Sequence, residues 1–96
     1  MQLEDFRREI DALDEVLVRT LARRLQICAE VAGFKAREGI PIMQPERVRL
    51  VTERSAQLAV AHGVSPELIV RIYGLIIDAA CQLEARIIAD HRGEVA

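Results

Sequence analysis

Residues 3–36 read LEDFRREIDALDEVLVRTLARRLQICAEVAGFKA, with no proline and a single late glycine, Gly33. Apolar side chains recur at three and four spacing from Leu3 through Ile10, Leu13, Leu17, Leu21, Cys28 and Val31 to Phe34, which places them on one face of an α-helix. The stretch predicts one continuous helix of roughly 33 residues, about 50 Å long at 1.5 Å per residue. A compact chain of 96 residues has a radius of gyration near 12 to 13 Å, hence a diameter of very roughly 32 Å. Such a helix is too long for its own domain, and its apolar stripe runs nearly end to end. The overhang needs a cover, most simply a symmetric copy, so an intertwined homodimer is expected.

Downstream, Glu38-Gly39-Ile40-Pro41-Ile42-Met43-Gln44-Pro45 breaks the helix, because Gly39 is flexible, Pro41 cannot continue it, and each residue before a proline is pushed extended. Pro45 suits the first position of a second helix running to about His62. Gly63 is a terminator, and Ser65-Pro66-Glu67 supplies an N-cap, a first-turn proline and a first-turn acid, with Val64 and Ile69 spaced as a hydrophobic staple. The third helix extends to about Asp90, and His91 to Ala96 reads as a frayed tail. There is no internal repeat and no strand-like alternation. The expectation is a single all-α domain of three helices over residues 1–96.

A hydrophobic content of 51% fits one small core, which at this size gains from association. The net charge of -2 and the lack of any basic run interleaved with aromatics argue against a nucleic-acid partner. The N-terminus is charged within its first residues and lacks the apolar core of a signal peptide. No apolar run reaches the ~20 residues of a membrane span. A cytoplasmic protein without membrane contact is expected. Cys28 and Cys81 lie in apolar helical segments without metal-ligand spacing, and read as buried reduced cysteines.

Several charges sit where apolar residues belong. Arg24 and Lys35 fall within the stripe of the first helix, about 20° apart in projection and roughly 16 Å apart along the axis, so their long side chains can converge. In the third helix Arg71, Asp78, Gln82 and Arg86 project to one side, whereas Glu84 falls among Tyr73, Ile77, Ala80 and Ile88 on the inward face. A carboxylate there must be paired or protonated. Arg47 adds a cation at the start of the second helix. Arg7 lies some 25 Å from Arg24 along the same helix, and reaches that site only from the partner of an antiparallel or crossed dimer. A structural alternative is a buried Arg24–Glu84 bridge with Lys35 and Arg47 snorkelling to water. The count weighs against it: three inward or near-inward cations, with Arg7 from a partner, face one internal acid. A small molecule with two carboxylates balances the surplus.

His62 and His91 lack partners for a triad or a metal site, and there is no glycine-rich phosphate loop. No cofactor is expected. A catalyst made of these parts holds a dianion in a chosen conformation and stabilises charge that develops during reaction.

Phe6-Arg7-Arg8-Glu9-Ile10-Asp11-Ala12-Leu13-Asp14, Arg23-Arg24 followed by Val31 and Lys35, Pro45-Glu46-Arg47-Val48, and Leu75-Ile76-Ile77 with Glu84 after it resemble, over nearly the full chain, the small all-helical chorismate mutases. That resemblance implies an intertwined dimer and a pericyclic Claisen rearrangement of chorismate to prephenate, an isomerase reaction without cofactor or covalent intermediate. It implies that Arg24 and the partner's Arg7 clamp the substrate carboxylates, that Arg47 assists at the ring side, and that Lys35 donates to the ether oxygen. Glu84 stands where the family carries Gln or Glu beside that oxygen.

Two departures follow from the same resemblance. Gln44 and Val48 stand where the typical family member has acids near the hydroxyl of ring carbon four, and Ala80 replaces a serine. The segment from Gly39 to Val48, and Cys81 with Glu84, resemble the branch that contains 4-amino-4-deoxychorismate mutases and isochorismate-pyruvate lyases, of which the lyases resemble Gln at the Glu84 position. The expected substrate is chorismate or, by a slight margin, its 4-amino-4-deoxy analogue. The alternatives are a lyase that gives salicylate from isochorismate, and a non-catalytic helical dimerisation module.

Overall fold

The computed structural model describes residues 1–95, with side chains through Gly93. Three helices make up the chain: α1 (Leu3–Glu38), α2 (Pro45–Ala61) and α3 (Pro66–Val95). At the start of α1 the backbone N–H of Gln2 donates to Asp5 Oδ2 at 2.8 Å. That donor, together with Arg8, holds the Asp5 carboxyl below its usual value. At the far end Gly39 takes the left-handed conformation at φ 69°, and the Ile40 N–H returns to the Lys35 carbonyl at 2.9 Å. A left-handed glycine is the common way to close a helix. Gly63 has the same φ, and the Ser65 hydroxyl accepts from the Leu68 N–H at 3.3 Å as the N-cap of α3.

One end departs from expectation. α3 does not loosen at His91 but continues to Val95; Ala96 lies outside the described residues. The segment holds no proline, its one glycine, Gly93, costs only about 1 kcal/mol relative to alanine within a helix, and a basic residue, Arg92, in the last turn favours the negative end of the helix dipole.

α3 is the centre of the chain: α1 packs along it on one side and α2 on another. Arg24 faces Tyr73 and Lys35 faces Glu84. The interval from 24 to 35 equals that from 73 to 84, so α1 and α3 run side by side in the same direction. Small residues permit this close approach, since Ala32, Ala59 and Ala80 are buried together with Ile88. Ser55 is also buried, and its hydroxyl donates to the Thr52 carbonyl at 2.7 Å.

Among the described residues, the first half of α1 stays almost entirely exposed. Phe6, Ile10, Leu13, Leu17 and Val18 are all exposed, Leu17 by 67% and Val18 by 69%. The molecule is accordingly drawn out to 61 × 26 × 15 Å with a radius of gyration of 17.1 Å, against about 12 to 13 Å for a compact chain of this length. Its accessible surface is 7526 Å², whereas a compact monomer of the same mass exposes roughly 5,500 Å². Among the described residues no helix is long and apolar enough to cross a membrane.

Candidate active site

A cavity of about 490 Å³ opens between the second half of α1, the α1–α2 loop, the start of α2 and the middle of α3. Arg24, Lys35, Gln44, Arg47, Val48, Ala80 and Glu84 all line it. The sequence places these residues on four different segments, and the fold brings them together. Arg7 is not among them: it is exposed on the free part of α1, where its guanidinium meets Glu4 Oε1 at 2.7 Å.

Lys35 is fixed by two acceptors. Its Nζ donates to Glu84 Oε1 at 3.0 Å and to the Ile42 carbonyl oxygen at 3.0 Å. Both side chains of the ion pair are largely withdrawn from water, at 14% and 9% exposure. Glu84 is thus satisfied by Lys35, and the alternative pairing with Arg24 does not form. Arg24 instead lies over the Tyr73 ring, 5.8 Å from its centroid, a cation–π placement. Its Nη1 sits 4.0 Å from Cys28 Sγ.

The charge balance follows directly. Lys35 and Glu84 cancel, while among the described residues neither Arg24 nor Arg47 has a carboxylate within 4.0 Å. Two positive charges therefore remain on the cavity wall. Ile27, Val31, Val51 and Ile77 supply apolar surface between them, and a cavity with a mostly apolar lining and a few fixed polar groups is the usual form of a small-molecule site.

Three contributors are not placed in the site by the sequence. The Ile42 carbonyl that anchors Lys35 is a backbone group, invisible to any reading of side chains. Cys28 and Cys81 are half-buried and face the cavity, where the apolar surroundings suggested only core thiols. Burial pushes the Cys81 thiol above its usual range, and Glu84 adds to the effect while Lys35 partly opposes it. The i, i+4 relation of Arg24 and Cys28, and the position of Cys81 one residue after Ala80, were the available signals.

An all-helical protomer with a cationic, partly apolar cavity of this size is built to hold a small anionic molecule. Residues 6–85 match the family model of chorismate mutase type II, and the chain belongs to that family of isomerases, as a mutase. It is 41% identical to a 4-amino-4-deoxychorismate mutase of Streptomyces venezuelae, over 86% of this chain and 81% of the relative. A 4-amino-4-deoxychorismate mutase of Streptomyces pristinaespiralis is 34% identical over 91% of this chain and 67% of its own length. The chorismate mutase of Methanocaldococcus jannaschii is 30% identical, with 80% and 78% covered.

Proposed function

We propose that this chain rearranges a chorismate-type dicarboxylate into the corresponding prephenate, with 4-amino-4-deoxychorismate preferred to chorismate. The observation that carries the reading is the pair of uncompensated guanidinium groups, Arg24 and Arg47, on the wall of a 490 Å³ cavity. A guest with two carboxylates neutralises them through charge-assisted hydrogen bonds of about 1.5–3 kcal/mol each.

The rearrangement breaks a carbon–oxygen bond while a carbon–carbon bond forms, so no side chain has to attack or be attacked. The protein's part is to fold the side arm over the ring and to stabilise the negative charge that grows on the ether oxygen. Lys35 suits the second task. Its ammonium has three N–H groups; Ile42 and Glu84 take two, and the third is left for the ether oxygen. Glu84 adds a second donor to that oxygen when it carries a proton, and orients Lys35 when it does not.

The amino analogue is favoured by two points. The Streptomyces relatives carry that activity in their names, and neutral Gln44 and Val48 line the cavity at the positions where the resemblance implies acids near the ring hydroxyl. The Gln44 amide nitrogen is engaged with the Pro41 carbonyl at 3.5 Å, which leaves its oxygen to accept an N–H from a ring amine.

A second copy completes the site. The exposed stripe of α1 is covered by its counterpart in a homodimer, and the partner's Arg7 supplies a further cation to a substrate carboxylate. Purified protein should be incubated separately with chorismate, 4-amino-4-deoxychorismate and isochorismate, and the products identified by chromatography. The amino analogue should be consumed fastest, without pyruvate release. Faster release of pyruvate from isochorismate would replace the mutase reading with a lyase. Lys35→Ala and Arg24→Ala should each lower kcat/KM by roughly 10- to 1,000-fold with helicity retained; unchanged turnover would leave only a structural module.

A further inference from the structure

Beside the main cavity lies a second cleft of about 260 Å³, lined by Arg24, Arg47, Arg54, Ser55, Leu58 and Tyr73. Three guanidinium groups surround it, and among the described residues none has a carboxylate within 4.0 Å. The Ser55 hydroxyl is already spent on the Thr52 carbonyl. Arg24 and Arg47 also face the main cavity, where the substrate carboxylates engage them, whereas Arg54 lines the cleft alone. One cation is therefore left over that the proposed reaction does not use.

We infer that Arg54 is a docking point for a second copy of this chain, which inserts the first turns of its α1 into the cleft and pairs the partner's Glu4 with Arg54. The inference rests on the dimeric, shared-site reading above and adds the contact that sets where the partner's Arg7 enters.

The chemistry favours this occupant. A fourth guanidinium that approaches three others is repelled unless an anion travels with it. Glu4 and Arg7 are one helical turn apart and already in contact at 2.7 Å, so a helix that delivers one delivers the other. Both are more than half exposed, at 68% and 60%. The first turn of α1 holds two acids, Glu4 and Asp5, whereas the charged residues that line the cleft are all arginines. Apolar contact surrounds the charges, since Leu58 at the cleft and Leu3 and Phe6 beside Glu4 are exposed on this chain.

The test is a charge swap in the full-length chain: Arg54→Glu, Glu4→Arg and the double variant, with Arg54→Gln as a neutral control and circular dichroism to verify folding. Sedimentation velocity over a dilution series gives the dimer dissociation constant, and steady-state kinetics give KM and kcat. Each single reversal should weaken the dimer about tenfold or more and raise KM with a smaller change in kcat, and the double variant should recover most of both losses. A dimeric wild type whose assembly and KM are indifferent to Arg54→Glu, or a double variant no better than the singles, overturns the inference and leaves the dimer standing. Inorganic phosphate binding that Arg54→Gln abolishes without weakening the dimer overturns it too, by making the cleft a site for a free anion. A wild type that is fully active as a monomer overturns the shared-site reading itself, and the docking contact with it.

Discussion

Lys35 and Glu84, 49 residues apart with the whole of α2 and more than half of α3 between them, meet at 3.0 Å with both side chains largely withdrawn from solvent. The pair removes one positive and one negative charge from the cavity and leaves Arg24 and Arg47 to define its net sign. It also makes Glu84 ambivalent. Paired with the ammonium it is an acceptor, whereas a group that assists bond cleavage at the ether oxygen must be a donor.

Glu84→Gln keeps an oxygen for Lys35 and supplies N–H donors toward the ether oxygen, so its kcat should equal or exceed that of the wild type. Glu84→Ala leaves the Lys35 ammonium without its carboxylate, and its kcat should fall about tenfold or more. A Glu84→Ala variant that turns over like the wild type contradicts the role assigned to Glu84.

Leu17→Asp tests the proposed homodimer. Leu17 is 67% exposed in the single chain, where a surface substitution changes stability by no more than about 0.5 kcal/mol. Buried in a dimer, each copy forfeits about 1.5–3 kcal/mol of apolar burial and also places a charge in the interface. Sedimentation should give about twice the 10.8 kDa chain mass for the wild type and the chain mass for the variant, which should lose turnover. Identical sedimentation of the two proteins would remove the basis for a dimer along α1.

Val48→Glu, alone or with Gln44→Asp, places an acid on the cavity wall at the positions proposed to meet the ring hydroxyl of chorismate. A hydrogen bond to an ionised group is worth about 1.5–3 kcal/mol, so the ratio of kcat/KM for chorismate over the amino analogue should rise about tenfold or more. An unchanged ratio would mean that these two positions do not set the preference.

Cys81 offers a probe of the cavity. Its pKa is raised above the ordinary 9.0, first by burial and then by Glu84, so at any pH below that value less thiolate is present than in an exposed cysteine. The thiolate is the reactive form. Maleimide labelling followed by mass spectrometry should be slow at neutral pH and still accelerating beyond pH 9.0, and a bound dicarboxylate should slow it further. A labelling rate that levels off near neutral pH would place the thiol outside the lining.

The elements legible in the sequence were those with periodic or chemical signatures. A proline-free run from Leu3 to Phe34 announced α1, Gly39 and Gly63 marked the ends of α1 and α2, and Arg24, Lys35 and Glu84 stood out because charge on an inward face demands a partner. What stayed hidden depends on relations between segments. Which base Glu84 takes is decided by the register of α1 against α3, and that register places Lys35 opposite Glu84 and Arg24 opposite Tyr73. The cleft at Arg54 needed α2 to be docked before its three arginines could be seen as neighbours. The end of α3 was misjudged because His91 and Arg92 looked like the polar start of a tail, although neither opposes a further helical turn.

The bond from Lys35 to the Ile42 carbonyl makes this side chain a clasp as well as a charge: it pins the crossover between the first two helices against the third. Truncating it unfastens Gln44 and Met43 along with the ammonium, so the rate lost in Lys35→Ala is an upper bound on electrostatic catalysis. The intrinsic share emerges only when the mobility of that crossover is followed in the same variant.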